Sequence, residues 1–316
     1  VSFGETFQGF DEAAFAAFET RKWTSNLFNI ERMKVRDQLR ALGAGLDPEL
    51  SRGRAFHVDV TNHAPTILNG KKVNELVLYF TRTEEQQRSL APVLDRRISL
   101  PDQIADSGEH HRHATLGVRV SSGGVEVGLM LRSTAWVDVM NLLNRVRKTE
   151  EAEELARAVR RLPAGSFVRV APGREIPAAE FEAPEARAFE EAVLNDAFLI
   201  LFGRRIPADD VIASGAGFAA LCRDVLVACL PVWDYVAWRP ASNYLMDDST
   251  RATKDTPTIS SDGSIVDYSP GTKVRLVDGV FAGRQGVVTE VDSKGLVRVV
   301  IGKVTVRTDT RSVRAV

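Results

Sequence analysis

Apolar residues recur along this chain at two spacings, one helical and one alternating, and the switches between them mark out elements. Over residues 32–42, Met33, Val35, Leu39 and Leu42 fall near helical spacing, and Gly43 and Gly45 end the predicted helix. Residues 55–60 and 73–81 read as strands, the second with Val73, Val77 and Phe80 in a β-rich run. Asn62, Pro65, Asn69 and Gly70 supply the turn between them. Thr83 is placed to cap a helix over 84–94. Leu116, Val118 and Val120 alternate with Thr115, Gly117 and Arg119, so residues 113–120 form a strand with one buried face. Ser121-Ser122-Gly123-Gly124 then turns the chain into a second strand over 125–131.

Ser133 or Thr134 is the expected cap of a helix over 135–147, whose stripe is Trp136, Val139, Met140, Leu143 and Val146. A charged helix over 151–162 keeps Leu155, Val159 and Leu162 on one side, and 166–170 reads as a short strand. From 178 to 238 the pattern predicts helix throughout. Pro184 suits a first turn, and Phe189, Val193, Leu194, Ala197, Leu201 and Phe202 form a continuous buried side. One or two further helices follow over 206–238, broken around Gly215, Gly217 and Pro231. The expectation is an α+β body over 1–239, with an antiparallel sheet of about four strands, packed helices, a helical C-terminal part and a subdivision point near 150–165. Residues 240–267, rich in Ser, Thr, Asp and Pro, read as a flexible linker. Residues 268–316 are short Val-rich segments between glycine turns, a small all-β pattern.

Composition alters this picture in one place. The 316 residues carry 41 Lys+Arg and 42 Asp+Glu, a net charge of −1 that argues against a polyanion partner. The charge is not evenly spread. Residues 268–316 hold nine basic residues (Lys273, Arg275, Arg284, Lys294, Arg298, Lys303, Arg307, Arg311, Arg314) against four acids (Asp278, Glu290, Asp292, Asp309), a net of +5; the remainder is then −6. A basic tail unit follows an acidic body. Two cysteines, Cys222 and Cys229, exclude a disulfide framework and a Cys-based zinc finger, and the expected location is the cytoplasm. No run of about 18 uncharged apolar residues predicts a membrane span. Glu5, Asp11 and Glu12, without a basic n-region, do not read as a signal peptide.

The tail reads GTKVRLVDGVFAGRQGVVTEVDSKGLVRVVI from Gly271. A strand over 274–277 leads to Asp278-Gly279 and Phe281-Ala282-Gly283; Gly286 precedes a second strand over 287–291; a turn over 292–295 leads to a third over 296–301. These residues resemble the KOW motif of NusG-type transcription factors and of several ribosomal proteins. The resemblance covers about 45 residues. It implies an SH3-like β-barrel, completed by the strands of 305–316, that binds RNA, ribosomal proteins or transcription machinery. The body lacks the order of a NusG-type polymerase-binding domain, so the likeness stops at the tail.

On the residues themselves, a basic barrel edged by an aromatic loop can grip a phosphate backbone and stack a base, or dock on an acidic protein surface. The binding candidates are Lys273, Arg275, Phe281, Arg284, Lys294 and Arg298. In the body, His110, His111 and His113 are the candidate metal ligands, with Asp106 or Glu109 near them and His57 and His63 flanking another strand. Asp59 and Glu75 with Lys71 or Lys72 would suit a Mg²⁺ nuclease, although the tight Glu-x-Lys spacing is missing. Cys222 and Cys229 read as small core residues on one helical face. Trp233, Tyr235 and Trp238 read as helix packing or as an aromatic patch facing a partner. No phosphate loop or nucleophile elbow is present. The expected function is a non-enzymatic binding protein of the transcription or translation machinery, without cofactor, whose barrel contacts RNA or a nucleoprotein complex such as RNA polymerase or the ribosome. The alternatives are a metal-dependent hydrolase or nuclease with the tail as a targeting module, and a structural subunit of a protein assembly.

Overall fold

A computed structural model gives the architecture and describes residues 6–90, 111–192, 199–244, 268–277, 284–291, 296–301 and 304–316. The body runs α1 (Glu12–Ala16), α2 (Asn29–Leu50), β1 (His57–Val60), β2 (Glu75–Thr81), α3 (Glu84–Leu90), β3 (Thr115–Ser121) and β4 (Gly124–Arg132). It continues with α4 (Trp136–Val146), α5 (Thr149–Val159), β5 (Phe167–Ala171), β6 (Arg174–Pro177), α6 (Phe189–Ala192), β7 (Leu199–Pro207), α7 (Ala208–Ser214) and α8 (Phe218–Val236). The α+β class holds. The strands form one seven-stranded sheet in the order β1-β2-β3-β4-β7-β5-β6, with every neighbouring pair antiparallel.

The continuous helix expected from 178 to 238 is not there. Leu199–Pro207 is a nine-residue strand lying between β4 and β5, near the middle of the sheet. Its run Leu-Ile-Leu-Phe is buried on both faces, and such a run carries no periodicity that separates strand from helix. The expected partners Val193, Leu194 and Ala197 lie outside the described residues. The sheet gains β6 as well, so it is wider than the four strands the pattern predicted.

One face of the sheet is covered by helices. Leu116, Val118, Val120, Val125, Val127, Leu129, Ile200 and Phe202 point into a single core with Leu39 and Leu42 of α2, Leu142 and Leu143 of α4, and Cys222, Leu226 and Cys229 of α8. The stretch Ala208–Val236 has a mean hydropathy of 1.6 in its most apolar window, enough on length and composition to cross a membrane. Here it is two helices separated at Gly215–Gly217, and α8 lies against β3, β4, β7 and α2.

The other face of the sheet bends sharply. Glu75 pairs in register with Ser121, whereas Met130 pairs with Thr115 and Arg132 lies two residues further on. On flat strands at about 3.3 Å per residue, Glu75 and Arg132 would be roughly 26 Å apart along the sheet. Their side chains nonetheless meet at 3.2 Å. Between them Gly117, Gly128 and Gly203 stand directly opposite one another on three adjacent strands. A Cβ at Gly128 would collide with the Phe202 carbonyl oxygen, and one at Gly203 with that of Val127. Side chains are excluded where the strands turn, and the two ends of this face fold toward each other.

Thr83 caps α3 as expected, in a reciprocal pair: its Oγ1 accepts from Gln86 N at 3.3 Å while Gln86 Oε1 accepts from Thr83 N at 3.0 Å. Thr134 does not cap α4. Its hydroxyl donates to the His111 carbonyl at 2.6 Å, and the residue entering the helix is Ala135, which makes no side-chain cap bond.

Beneath the sheet end, Arg82 and Asp138 form a bidentate pair at 2.7 and 2.5 Å, both side chains almost fully buried. Asp138 also accepts from the backbone N–H of Ala114 at 2.7 Å and of Trp238 at 2.8 Å. Arg82 donates to the Trp238 carbonyl at 2.9 Å. Asp138→Ala leaves a buried guanidinium without its counter-charge and lowers unfolding free energy by about 3–5 kcal/mol. The readout is the urea midpoint. The apolar pair Arg82→Met with Asp138→Leu recovers most of that loss, and an unshifted midpoint for Asp138→Ala would show that the pair does not hold the fold.

Candidate functional site

The tail unit is a five-stranded antiparallel sheet built from β8 (Lys273–Leu276), β9 (Gln285–Val291), β10 (Leu296–Ile301), β11 (Val304–Asp309) and β12 (Val313–Ala315). Its order is β11-β10-β9-β8-β12, and a 3₁₀ turn at Thr310–Ser312 carries the chain from one edge strand to the other. No ladder closes β11 onto β12 among the described residues. Val274, Leu276, Val288, Val297, Val299, Ile301 and Val313 fill the inner face with Tyr268, whose hydroxyl donates to the Val313 carbonyl at 2.8 Å. Gly286 lies under this core. A Cβ there would strike the Val299 side chain and sit 2.6 Å from the Val300 oxygen.

Strand alternation puts the cations on the outer face. Lys273, Arg275 and Arg314 are exposed, and Arg275 stands directly opposite Arg314 in the β8–β12 ladder. On its other side Arg275 pairs with Gln285, next to exposed Arg284. Among the described residues none of these four cations has an ion-pair partner. Arg298 differs: it faces Glu290 across the β9–β10 ladder and pairs with it at 3.5 Å. Phe281 and Lys294 lie outside the described residues. Arg314 joins the predicted set; its signal in the sequence was only its place in the basic tail.

Two of the three metal candidates, His111 and His113, lie among the described residues, each beside an arginine. His113 is buried, and its Nδ1 lies 3.1 Å from Arg82 Nη1, so that nitrogen accepts and carries no proton. His111 sits beside Arg132; burial, then the Arg132 charge, push its pKa down to about 3. His110 lies outside the described residues. Among the described residues no three His, Cys, Asp or Glu side chains are grouped to hold a metal.

The nuclease set is also dispersed. Asp59 Oδ1 accepts from Val60 N at 2.7 Å, and Lys72 lies over the Trp23 ring at 4.0 Å. Glu75 is held by two guanidiniums, Arg119 at 2.7 Å and Arg132 at 3.2 Å. A carboxylate so neutralised does not attract Mg²⁺. Cys222 and Cys229 are buried thiols whose pKa burial pushes up, to about 12 for Cys229, consistent with core packing. Trp233, Tyr235 and Trp238 are buried within the body: the Trp233 indole donates to Ala114 O at 3.2 Å and the Tyr235 hydroxyl to Glu151 O at 2.8 Å.

Glu75 belongs to a lattice that sequence reading missed. Glu126 accepts from Arg119 at 3.1 Å, Arg169 at 2.6 Å and Arg205 at 3.2 Å, and Glu175 accepts from Arg169 at 2.9 Å and Arg205 at 2.7 Å. Burial opposes ionisation of Glu126, but the hydrogen bonds and charges of Arg169 and Arg119 outweigh it and hold its pKa at about 2. No protein-family model matches the chain, and no curated protein matches it.

Both shifted groups make stability depend on acid. His111 has a folded pKa of about 3 against 6.5, so its contribution is present above about pH 6.5 and shrinks as pH falls toward 3. Glu126 has a folded pKa of about 2 against 4.5, so its contribution is present above about pH 4.5 and is lost as pH falls through 2. Urea midpoints should therefore fall steadily with acidification. His111→Gln flattens the upper part of that decline and Glu126→Gln the lower part; parallel curves for all three proteins would refute the assignment.

Proposed function

We propose that the tail unit is an SH3-like module of the KOW kind and that the outer face of β8 and β12 binds the phosphate backbone of RNA. In this reading the chain is a non-enzymatic component of the transcription or translation machinery. Supporting the module type are the strand order, the 3₁₀ turn before the last strand, and the tight seat of Gly286 at the position the motif reserves for glycine.

The observation that carries the function is the unneutralised row Lys273, Arg275, Arg314 and Arg284. Like charges directly opposite in an antiparallel pair destabilise a sheet, and Arg275 faces Arg314. Folding gains nothing from that arrangement, whereas a polyanion laid across the two strands does.

Titration of the full chain with a single-stranded RNA at several salt concentrations tests this. Four phosphate contacts give a slope of about −3 in log K against log salt. The triple substitution Lys273→Glu, Arg275→Glu and Arg314→Glu abolishes most of the binding and flattens the slope, while Lys72→Glu on the body leaves both unchanged. Binding that ignores salt and the triple substitution would overturn the RNA reading; if the triple variant instead lost only an acidic protein partner, the same face would be a protein-docking surface.

A further inference from the structure

One end of the body carries most of its exposed apolar side chains. Among the described residues five large apolar side chains of the body are exposed, and four of them, Leu27, Ile30, Met33 and Ile67, lie in two segments bonded to each other. Leu27, Ile30 and Met33 recur every third residue through the 3₁₀ turn Asn26–Phe28 and the first turns of α2, so they share one side of the helix. Ile67 sits in a loop tied to that segment on both sides. The His63 carbonyl accepts from Arg32 at 2.8 Å, and Val73 N donates to the Trp23 carbonyl at 2.9 Å. Leu27 is 87 % exposed and Ile67 72 %, so both project into solvent. Apolar side chains scattered singly over a surface need no explanation, but a cluster at one end does.

Hydrogen bonds fix the loop with Ile67 outward. Asn69 closes it, Oδ1 accepting from Thr66 N at 2.8 Å and Nδ2 donating to the Ala64 carbonyl at 2.8 Å. Lys71 N donates to the Thr66 carbonyl at 2.6 Å. The same end is basic. Residues 19–40 and 61–73 hold eight Lys and Arg against three acids, Glu19, Glu31 and Asp37, a net of +5. Those acids pair with Arg21, Lys22 and Arg40. Among the described residues the other five cations have no ion-pair partner. Arg32 is buried on backbone carbonyls, Arg36 reaches the Val60 carbonyl, and Lys72 lies over the Trp23 ring. Lys34 and Lys71 are exposed, each four residues beyond an exposed isoleucine. Neighbouring acids do not offset them. Glu75, the first acid after the loop, is held by Arg119 and Arg132. Asp11 and Glu12 follow Gly9, whose carbonyl meets Gln38 about two turns beyond Ile30.

Projecting aliphatic side chains with lysines beside them select the class of partner. A single-stranded nucleic acid gains from aromatic faces on which bases stack. Here Trp23 is covered by Lys72, and Phe28 lies under Lys22. Protein interfaces deplete lysine and centre on aromatic side chains. A lipid layer takes aliphatic side chains into its acyl boundary while lysines stay among anionic head groups. We propose that this end of the body docks on an anionic membrane surface, with Leu27, Ile30 and Ile67 inserted and Lys34 and Lys71 at the head groups. The contact is peripheral and leaves α8 in the core.

Flotation of the full chain with phosphatidylcholine vesicles containing about one third phosphatidylserine tests the surface. Half of the protein should float at about 0.1–1 mM lipid, the range of a weak, reversible anchor. Pure phosphatidylcholine should require about tenfold more lipid. Leu27→Gln with Ile30→Gln should raise the lipid requirement about tenfold or more. Lys34→Gln with Lys71→Gln should raise it about tenfold on the anionic vesicles alone. All four side chains are exposed, so the melting temperatures of both variants should match the parent. A tail that clung to anionic lipid by itself would not respond to these changes on the body. Unchanged flotation of a folded Leu27→Gln/Ile30→Gln chain therefore overturns the proposal, as does equal flotation with both kinds of vesicle or none at several millimolar lipid. Polyglutamate is the probe for an acidic protein. Binding to it without flotation, lost in the Lys34→Gln/Lys71→Gln chain, would make this end a protein-docking surface and overturn the lipid reading.

Discussion

Arg82 and Asp138 set the frame on which the rest of the body is hung. Two opposite charges withdrawn from water survive only if every strong donor and acceptor is met. Asp138 meets its requirement with two guanidinium N–H groups and the backbone N–H groups of Ala114 and Trp238. Arg82 meets its own with Asp138, the Trp238 carbonyl and His113 Nδ1. The exit of β2, the entry of β3, the first turn of α4 and the end of α8 must therefore arrive together. Trp238 is fixed by this cluster, and the chain beyond it stays on the body through Tyr244, whose N–H donates to Asn141 Oδ1 at 2.9 Å and whose hydroxyl donates to Glu151 Oε1 at 2.6 Å. So the residues that composition assigns to the start of the linker are still part of the body's hydrogen-bonded surface.

Much of the fold was legible because it follows from local pattern. The β3–β4 hairpin was written in its alternation and in the Ser-Ser-Gly-Gly turn, and Ser121 does pair with Gly124. Val139, Leu143 and Val146 of the α4 stripe and the Thr83 cap of α3 were equally local, whereas Trp136 and Met140 of the same stripe lie outside the main core. What escaped has one physical cause: burial by tertiary contact overrides what a residue type suggests on its own. β7 hid because a central strand loses the polar face that would reveal its period. Arg82, Asp138, Glu126 and Arg32 hid because a charged residue reads as surface until its partner is known. Arg32 is fully buried, and its guanidinium donates to the carbonyls of Lys22, Ser25 and His63 and to Asn29 Oδ1, three of these acceptors lying at least seven residues away in sequence. Of the three histidines that lie together in sequence, the two among the described residues, His111 and His113, have arginine neighbours that no local pattern announces.

Arginine does three different kinds of work in this chain, and the number of carboxylates within reach separates them. Where a guanidinium has a carboxylate to itself and is buried, as at Arg82, it fastens segments. Where guanidiniums alternate with shared carboxylates, as along Arg119, Glu126, Arg169 and Glu175, they tie neighbouring strands across a bent face. Where no carboxylate is offered on an exposed strand face, as at Arg275 and Arg314, the charge is directed outward. The whole-chain balance of 41 against 42 conceals this sorting completely. A net charge of −1 would fit a protein with no interest in anions. The distribution instead pairs the arginines of the bent face with carboxylates of that same face and leaves Arg275 and Arg314 facing one another across the outer face of the tail. The local supply of carboxylates, not the chain total, decides which guanidiniums are neutralised within the fold, since each buried or cross-strand guanidinium must be neutralised from somewhere.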